Sequence, residues 1–246
     1  MFPIRDHNPS ERTPYVTYAL IALNVVIFAI YWPLFNDERA LGTFFATWGM
    51  QPNEISAGTD LYTLVTSMFL HGGLMHLAGN MLFLWIFGDN LEDQMGHIGF
   101  LVFYLAAGVG ADIGQLMANA QSAVPVVGAS GAIAGLMGGY LLLFPRAKVD
   151  IIIIFIIFFK VFTVPAWAML GVWFALQLFN GVNSLGGDAV GVAYWAHAGG
   201  FVIGLLLCLP LWHKRGGANY WQKTQGHPPH PEVDYGSRVP VVKRDK

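Results

Sequence analysis

Four side chains in this sequence are of types, and at spacings, that can do chemistry: Ser130, His197, His76 and Asn80. A serine hydroxyl at its ordinary pKa is a weak nucleophile and needs a base beside it, which a neutral imidazole in a low-dielectric site supplies. Ser130 lies in GASG at 128–131 and His197 in AHAGG at 196–200. His76 and Asn80 are four residues apart. On a helix they share one face, from which both can donate hydrogen bonds to an oxyanion forming on an attacked carbonyl. Each residue also has a plainer reading. A serine in a membrane helix commonly bonds the carbonyl four residues back. A lone histidine or asparagine can join two helices. His71, His76 and His197 are three imidazoles of the kind that bind zinc. No Asp or Glu is placed beside those histidines, and a zinc site leaves the serine and histidine pair unexplained, so neither a metal nor a cofactor is expected.

The elements that must position these groups are apolar helices. Of the 246 residues, 55% are hydrophobic and only 11% charged, with a mean hydropathy of +0.51. Soluble domains carry about 25% charged residues, which excludes a water-soluble globule. Apolar runs at 15–32, 74–88, 98–117, 123–144, 165–179 and 190–212 give six candidate spans. The run at 15–32 has no small-residue cleavage site after it and reads as a retained span. The apolar stretch at 151–159 is too short to cross and is expected to be an interfacial or membrane-dipping lead-in to the fifth helix. The connection at 33–73, nearly uncharged and rich in Trp and Phe, is expected to lie in or on the membrane interface. With six spans, all of the 13 Lys and Arg except Arg39 fall on one side, which by the positive-inside pattern is the cytoplasm. The chain then divides into a cytoplasmic N-terminal tail at 1–14, a helical domain at 15–212 and a disordered cytoplasmic tail at 213–246.

In this alternation His76 and Asn80 open the second span, Ser130 the fourth and His197 the sixth, all from the outer side. Ser130 and His197 each lie about seven residues into their runs, roughly 10 Å below the apolar surface. Gly131, Gly135 and Gly139, and again Gly200 and Gly204, recur at four-residue intervals. Two such smooth faces pack closely and bring Ser130 to His197. Asn24 is expected to make an interhelical hydrogen bond and Asp112 to be structural. Cys208 is about 16 Å farther inward than His197, a poor place for a nucleophile, and a single cysteine permits no intrachain disulfide. A net charge of −2 without a dense basic run excludes nucleic acid as a partner.

The motifs HGGLMHLAGN at 71–80, GASG at 128–131 and AHAGG at 196–200 resemble, in order and on matching helices, those of the rhomboid family of intramembrane serine proteases. The resemblance implies an all-α membrane protein, a six-transmembrane-helix rhomboid-like bundle with a membrane-lying first loop, and a loop at 181–193 that caps the site. It implies Ser130 as nucleophile and His197 as general base, a dyad without a carboxylate, with His76, Asn80 and the Ser130 backbone amide as the oxyanion site. The expected activity is hydrolysis of peptide bonds in or next to transmembrane helices of membrane-protein substrates. The setting is a lipid bilayer, expected to be a prokaryotic inner membrane. The alternative is a catalytically inactive rhomboid-like protein that binds membrane helices. The residues specify no oligomeric state. Two positions depart from relatives. Tyr62 and Thr63 stand where many carry Trp-Arg, which changes a contact bracing the loop. Ala134 stands where some carry an aromatic that packs on the histidine, so the orientation of the His197 ring has to come from elsewhere.

Overall fold

Helices form over each of the six apolar runs. The computed structural model, which describes residues 2–155, 158–184 and 192–235, is 68% helical. Tyr15–Tyr31 is α1. The connection carries α2 (Glu38–Trp48) and the short α3 (Pro52–Ser56) and α4 (Thr63–Thr66). Then follow α5 (Leu74–Met95), α6 (His97–Ala118), α7 (Ser130–Leu143), α8 (Ala166–Asn183), α9 (Tyr194–Lys214) and α10 (Ala218–Thr224). Among the described residues three helices are long and apolar enough to cross a membrane: α1 with the turn that continues it to Asn36, α6 and α9. A fourth is reached if Thr63–Phe69 and α5, bent by 96°, count as one span.

The all-α expectation needs correction. Residues 148–165 fold as the strands β2 (Lys148–Phe155) and β3 (Phe158–Pro165), and β1 (Phe2–Asp6) joins them in an antiparallel sheet of order β1-β2-β3. Ile and Val are stiff at χ1, and with Phe they suit a pleated surface better than a helix, so the apolar stretch falls on β2 as far as Phe155 and on β3 from Phe158 and is not a simple lead-in. The N-terminal segment is tied into this sheet as well. Asp150 on the central strand is in register with Arg5 and Thr163, and its carboxylate lies 2.7 Å from Arg5 Nε, 3.0 Å from His7 Nε2 and 2.6 Å from Thr163 Oγ1. Burial alone would raise this carboxyl, but its donors hold it below the ordinary carboxylate range. The tail expected to be disordered at 213–246 carries α10 and packs on the same end of the molecule as far as Tyr235. The Trp221 indole donates to the Leu142 carbonyl at 2.9 Å, the Arg146 amide to Gly226 at 2.8 Å and the Val233 amide to His7 at 3.0 Å, while Lys148 pairs with Glu232 at 2.9 Å. Residues 236–246 lie outside the described residues.

Within the bundle α7 is central and buried along almost its whole length. Its contact with α9 is backbone on backbone. A Cβ at Gly200 would overlap the Gly131 carbonyl, and one at Gly204 would overlap that of Gly135. Gly138 joins the face, against the Phe201 carbonyl, while Gly139 sits between Leu91, Phe103 and the Cys208 side chain of α9. The reason is helical pitch: at about 100° per residue, a step of seven falls roughly 20° short of two turns and a step of eight overshoots by roughly 80°. Gly200→Leu is therefore expected to lower activity and the thermal midpoint in detergent together. Overpacking of this kind costs about 1–3 kcal/mol, and a variant as stable and active as wild type would disprove the close approach.

Polar groups fasten the remaining helices. The N-terminus of α1 has no side-chain cap of its own. The buried Glu92 of α5 serves instead, accepting from the Val16 amide at 2.9 Å and from the Thr17 amide and hydroxyl, both at 2.7 Å, an acid at the positive end of a helix. Asn24 does not reach another helix. Its amide donates to Leu20 of its own turn at 2.8 Å. In the connection the Tyr62 hydroxyl donates to the Thr47 carbonyl at 2.9 Å and its ring meets Trp48 edge-on, so Tyr62 itself ties α2 to α4.

Candidate active site

Ser130 opens a helix; it does not lie inside one. The fourth apolar run begins at 123, but Pro125 and Gly128 hold the chain extended, Val126 bridges to Met50, and α7 starts only at Ser130. The Ser130 amide is consequently among the first N–H groups of a helix, which have no partner within it and form its positive end. Gly128 sets up this turn at φ +134°, a conformation that favours glycine, and a Cβ there would stand 2.8 Å from His76 Nε2. Its amide donates to the Ser67 carbonyl at 2.9 Å. The Ser67 side chain lies near Asp112 of α6, which places Asp112 behind the turn.

His197, in the first turn of α9, points its Nε2 at Ser130 Oγ, 2.8 Å away. The serine hydroxyl thus meets an imidazole, not a carbonyl of its own helix. The opposite nitrogen, Nδ1, lies 2.8 Å from Oε1 of Gln177 on α8, and the indole of Trp173, one turn earlier on α8, lies beside the ring at 5.9 Å and 35°.

His76 and Asn80 come from the first two turns of α5. His76 Nδ1 accepts the Gly72 amide at 3.2 Å, so in the neutral ring the proton is on Nε2, the nitrogen that faces Gly128 and the start of α7. Asn80 is buried, and among the described residues its Nδ2 has no hydrogen-bond partner. A buried amide donor without an acceptor is uncommon in native structures. His76, Asn80, Ser130, His197 and Trp173 line one cavity of about 870 Å³, with Asp112 deeper in its wall. The structure therefore brings together a hydroxyl, a base and three donors, the Ser130 amide included. His71 stays aside. It is fully buried, its ring packs edge-on against His76 at 5.1 Å, and its backbone is tied to the Tyr31 hydroxyl. Among the described residues no group of three His, Cys, Asp or Glu could hold a metal ion. The expected capping loop at 181–193 falls largely on 185–191, outside the described residues.

Sequence reasoning missed Gln177 and Trp173. The signal was present: a glutamine inside an apolar helix is costly and marks a functional candidate.

A family model described as the rhomboid domain matches residues 58–214. Among curated relatives, rhomboid protein 1, mitochondrial, of Saccharomyces cerevisiae is 31% identical over 202 residues, covering 78% of this chain and 51% of that protein. Rhomboid protease GluP of Bacillus subtilis is 35% identical over 128 residues, 52% of this chain and 24% of its own length. The presenilin-associated rhomboid-like protein, mitochondrial, of Pongo abelii is 26% identical over 244 residues, 96% of this chain and 54% of that protein. The chain thus spans about half or less of the length of these relatives. The expectation of a prokaryotic inner membrane does not fit the mitochondrial names among them and is withdrawn; the apolar helices indicate a membrane protein. The matched stretch takes in more than half of the chain, including the segments that carry His76, Asn80, Ser130 and His197, and on that ground the chain belongs to the rhomboid family.

Proposed function

We propose that this chain is an intramembrane serine endopeptidase that hydrolyses peptide bonds in or next to transmembrane helices of membrane-protein substrates. The observation that carries the reading is the 2.8 Å approach of His197 Nε2 to Ser130 Oγ at the wall of a cavity that also holds an unpaired amide donor. In this mechanism His197 takes the hydroxyl proton as Ser130 Oγ attacks the scissile carbonyl. The Ser130 amide, His76 Nε2–H and Asn80 Nδ2–H receive the oxyanion. The imidazolium then protonates the leaving amine, and water hydrolyses the acyl-enzyme by the same route in reverse. A helical amide is shielded by its own hydrogen bonds, so substrates with small or helix-breaking residues near the outer interface are favoured.

The same reading takes α1, α5, α6, α7, α8 and α9 as six spans, with the connection at 33–73 lying along the membrane and the segments before Tyr15 and after Lys214 on the Lys- and Arg-rich side. Strand parity supports it. The chain leaves the sheet at Asp6 and returns at Lys148 after four of these helices, then leaves at Pro165 and returns to it at Glu232 and Val233 after two, and both numbers are even.

The test is labelling by a serine-directed fluorophosphonate together with cleavage of a panel of single-span substrates by the purified protein. Label and cleavage are expected in wild type and lost in Ser130→Ala. Capture of substrates without either would overturn the protease reading in favour of a silent helix binder.

A further inference from the structure

Resting on that reading, we propose that Gln177 is a positioning residue which holds His197 in the tautomer protonated on Nδ1, so that its bare Nε2 faces the nucleophile. A neutral imidazole carries one proton. It can accept from Ser130 Oγ through Nε2 only if that proton is on Nδ1. Which nitrogen carries it is decided by what Nδ1 meets, here one end of the Gln177 amide at 2.8 Å.

The two ends of an amide differ as donor and acceptor, so the orientation of Gln177 has to be established from its other contact. That contact is the Trp173 backbone carbonyl, 3.3 Å from Nε2. A carbonyl oxygen only accepts, so the NH₂ end must lie there, and the end toward His197 is the carbonyl oxygen, which also only accepts. His197 Nδ1 is therefore the donor. Turning the amide over would set two oxygens against each other at Trp173 and leave the imidazole with its proton toward the serine.

The placement is built into α8. Trp173, Gln177 and Gly181 are spaced by four and share one face. The Trp173 ring lies beside the imidazole, the Gln177 amide holds its Nδ1, and the Gly181 carbonyl accepts the Trp195 indole of α9 at 3.2 Å. Phe174 stacks on Phe201 of α9 at 4.5 Å and keeps the two helices in register. The ring is thus oriented from α8. Ala134 on α7 is fully buried and offers only a methyl group. When Nε2 takes the serine proton, the Gln177 oxygen also faces the N–H on which part of the new positive charge resides.

The experiment compares purified wild type, Gln177→Leu and Gln177→Glu for kcat, KM, the rate of fluorophosphonate labelling of Ser130, and the ¹⁵N shifts of the His197 ring without substrate. Gln177→Leu is expected to lower kcat and the labelling rate by about 10–100-fold, the value of a hydrogen bond to a group that becomes charged, with KM nearly unchanged. Gln177→Glu keeps an acceptor oxygen and is expected to recover most of that loss. The wild-type ring is expected to show protonation on Nδ1. Wild-type kcat in Gln177→Leu, a Glu variant as slow as the Leu variant, or a ring protonated on Nε2 in wild type would each overturn the proposal. If Gln177→Leu does not fold, Gln177→Met, which lacks the acceptor but keeps an unbranched chain, takes its place. The ring shifts are read without turnover. A protein that proves not to be a protease, with no Ser130-dependent labelling, is therefore distinguished from a protease in which Gln177 has no part.

Discussion

Ser130→Ala is expected to lower hydrolysis of a single-span substrate by about 10⁴–10⁶-fold, and His197→Ala to do nearly the same. The hydroxyl and the imidazole act in one step: without the base the hydroxyl keeps its proton, and without the hydroxyl the base has no nucleophile to activate. Losses from groups that work as a unit do not add, so the double variant should be no slower than either single one. A small residual rate should survive in all three, because the donors around the oxyanion remain. Initial rates with purified protein check this, alongside thermal denaturation in detergent. Ser130 opens its helix and makes one side-chain hydrogen bond, to His197, so Ser130→Ala should fold like wild type. Substantial turnover in Ser130→Ala would remove the nucleophile assignment.

Asn80→Ala is expected to lower kcat by about 10²–10³ with KM little changed, the range seen when one oxyanion donor is lost. A bond made only as charge develops on the carbonyl oxygen acts on the transition state and hardly on substrate binding. A structural asparagine would behave otherwise. An interhelical hydrogen bond in a membrane is worth about 0.6 kcal/mol on average, and its loss would lower stability while leaving turnover nearly normal. The structure sharpens the contrast, because Asn80 Nδ2 is buried with no acceptor among the described residues. Stability should therefore hold or rise in Asn80→Ala. His76→Ala should follow Asn80→Ala, since His76 Nε2 faces the start of α7, and His71→Ala should be milder. A stable Asn80→Ala protein with wild-type kcat would refute the oxyanion role.

Ser130, His197, His76 and Asn80 were legible before any coordinates because a polar side chain in an apolar run is expensive and therefore conspicuous. The α7 and α9 contact was legible for a related reason, as Gly131, Gly135, Gly200 and Gly204 leave no side chain between two backbones. Gly138 was missed as the tightest third contact of that face because a strict interval of four drifts around a helix, which leaves Gly139 at the edge, against the Cys208 side chain. The start of α7 was placed seven residues early because hydropathy counts Ala123 to Val127 as span, while Pro125 and the φ of Gly128 forbid it. The sheet was hidden for a stronger reason. The strands β2 and β3 pair with each other within one apolar run, but nothing near that run announces the third strand, since β1 lies far before it in the sequence. Gln177 was overlooked because its importance comes from the ring it meets across two helices, a relation that no local spacing displays.

The pairing of β1 with β2 also sets an order of events in biosynthesis. Phe2 is in register with Ile152 and Asp6 with Val149. β1 therefore waits for β2 while the whole of α1 to α7 is synthesised, roughly 7–30 s at about 5–20 residues per second. During that interval Arg5 and His7 lack Asp150, and the strand shows an unpaired edge of the kind that invites pairing with other chains. Closing so long a loop is slow for reasons of chain entropy. β1, made well before β2, is thus among the last segments to take its place, and a stalled chain would present that edge to its neighbours.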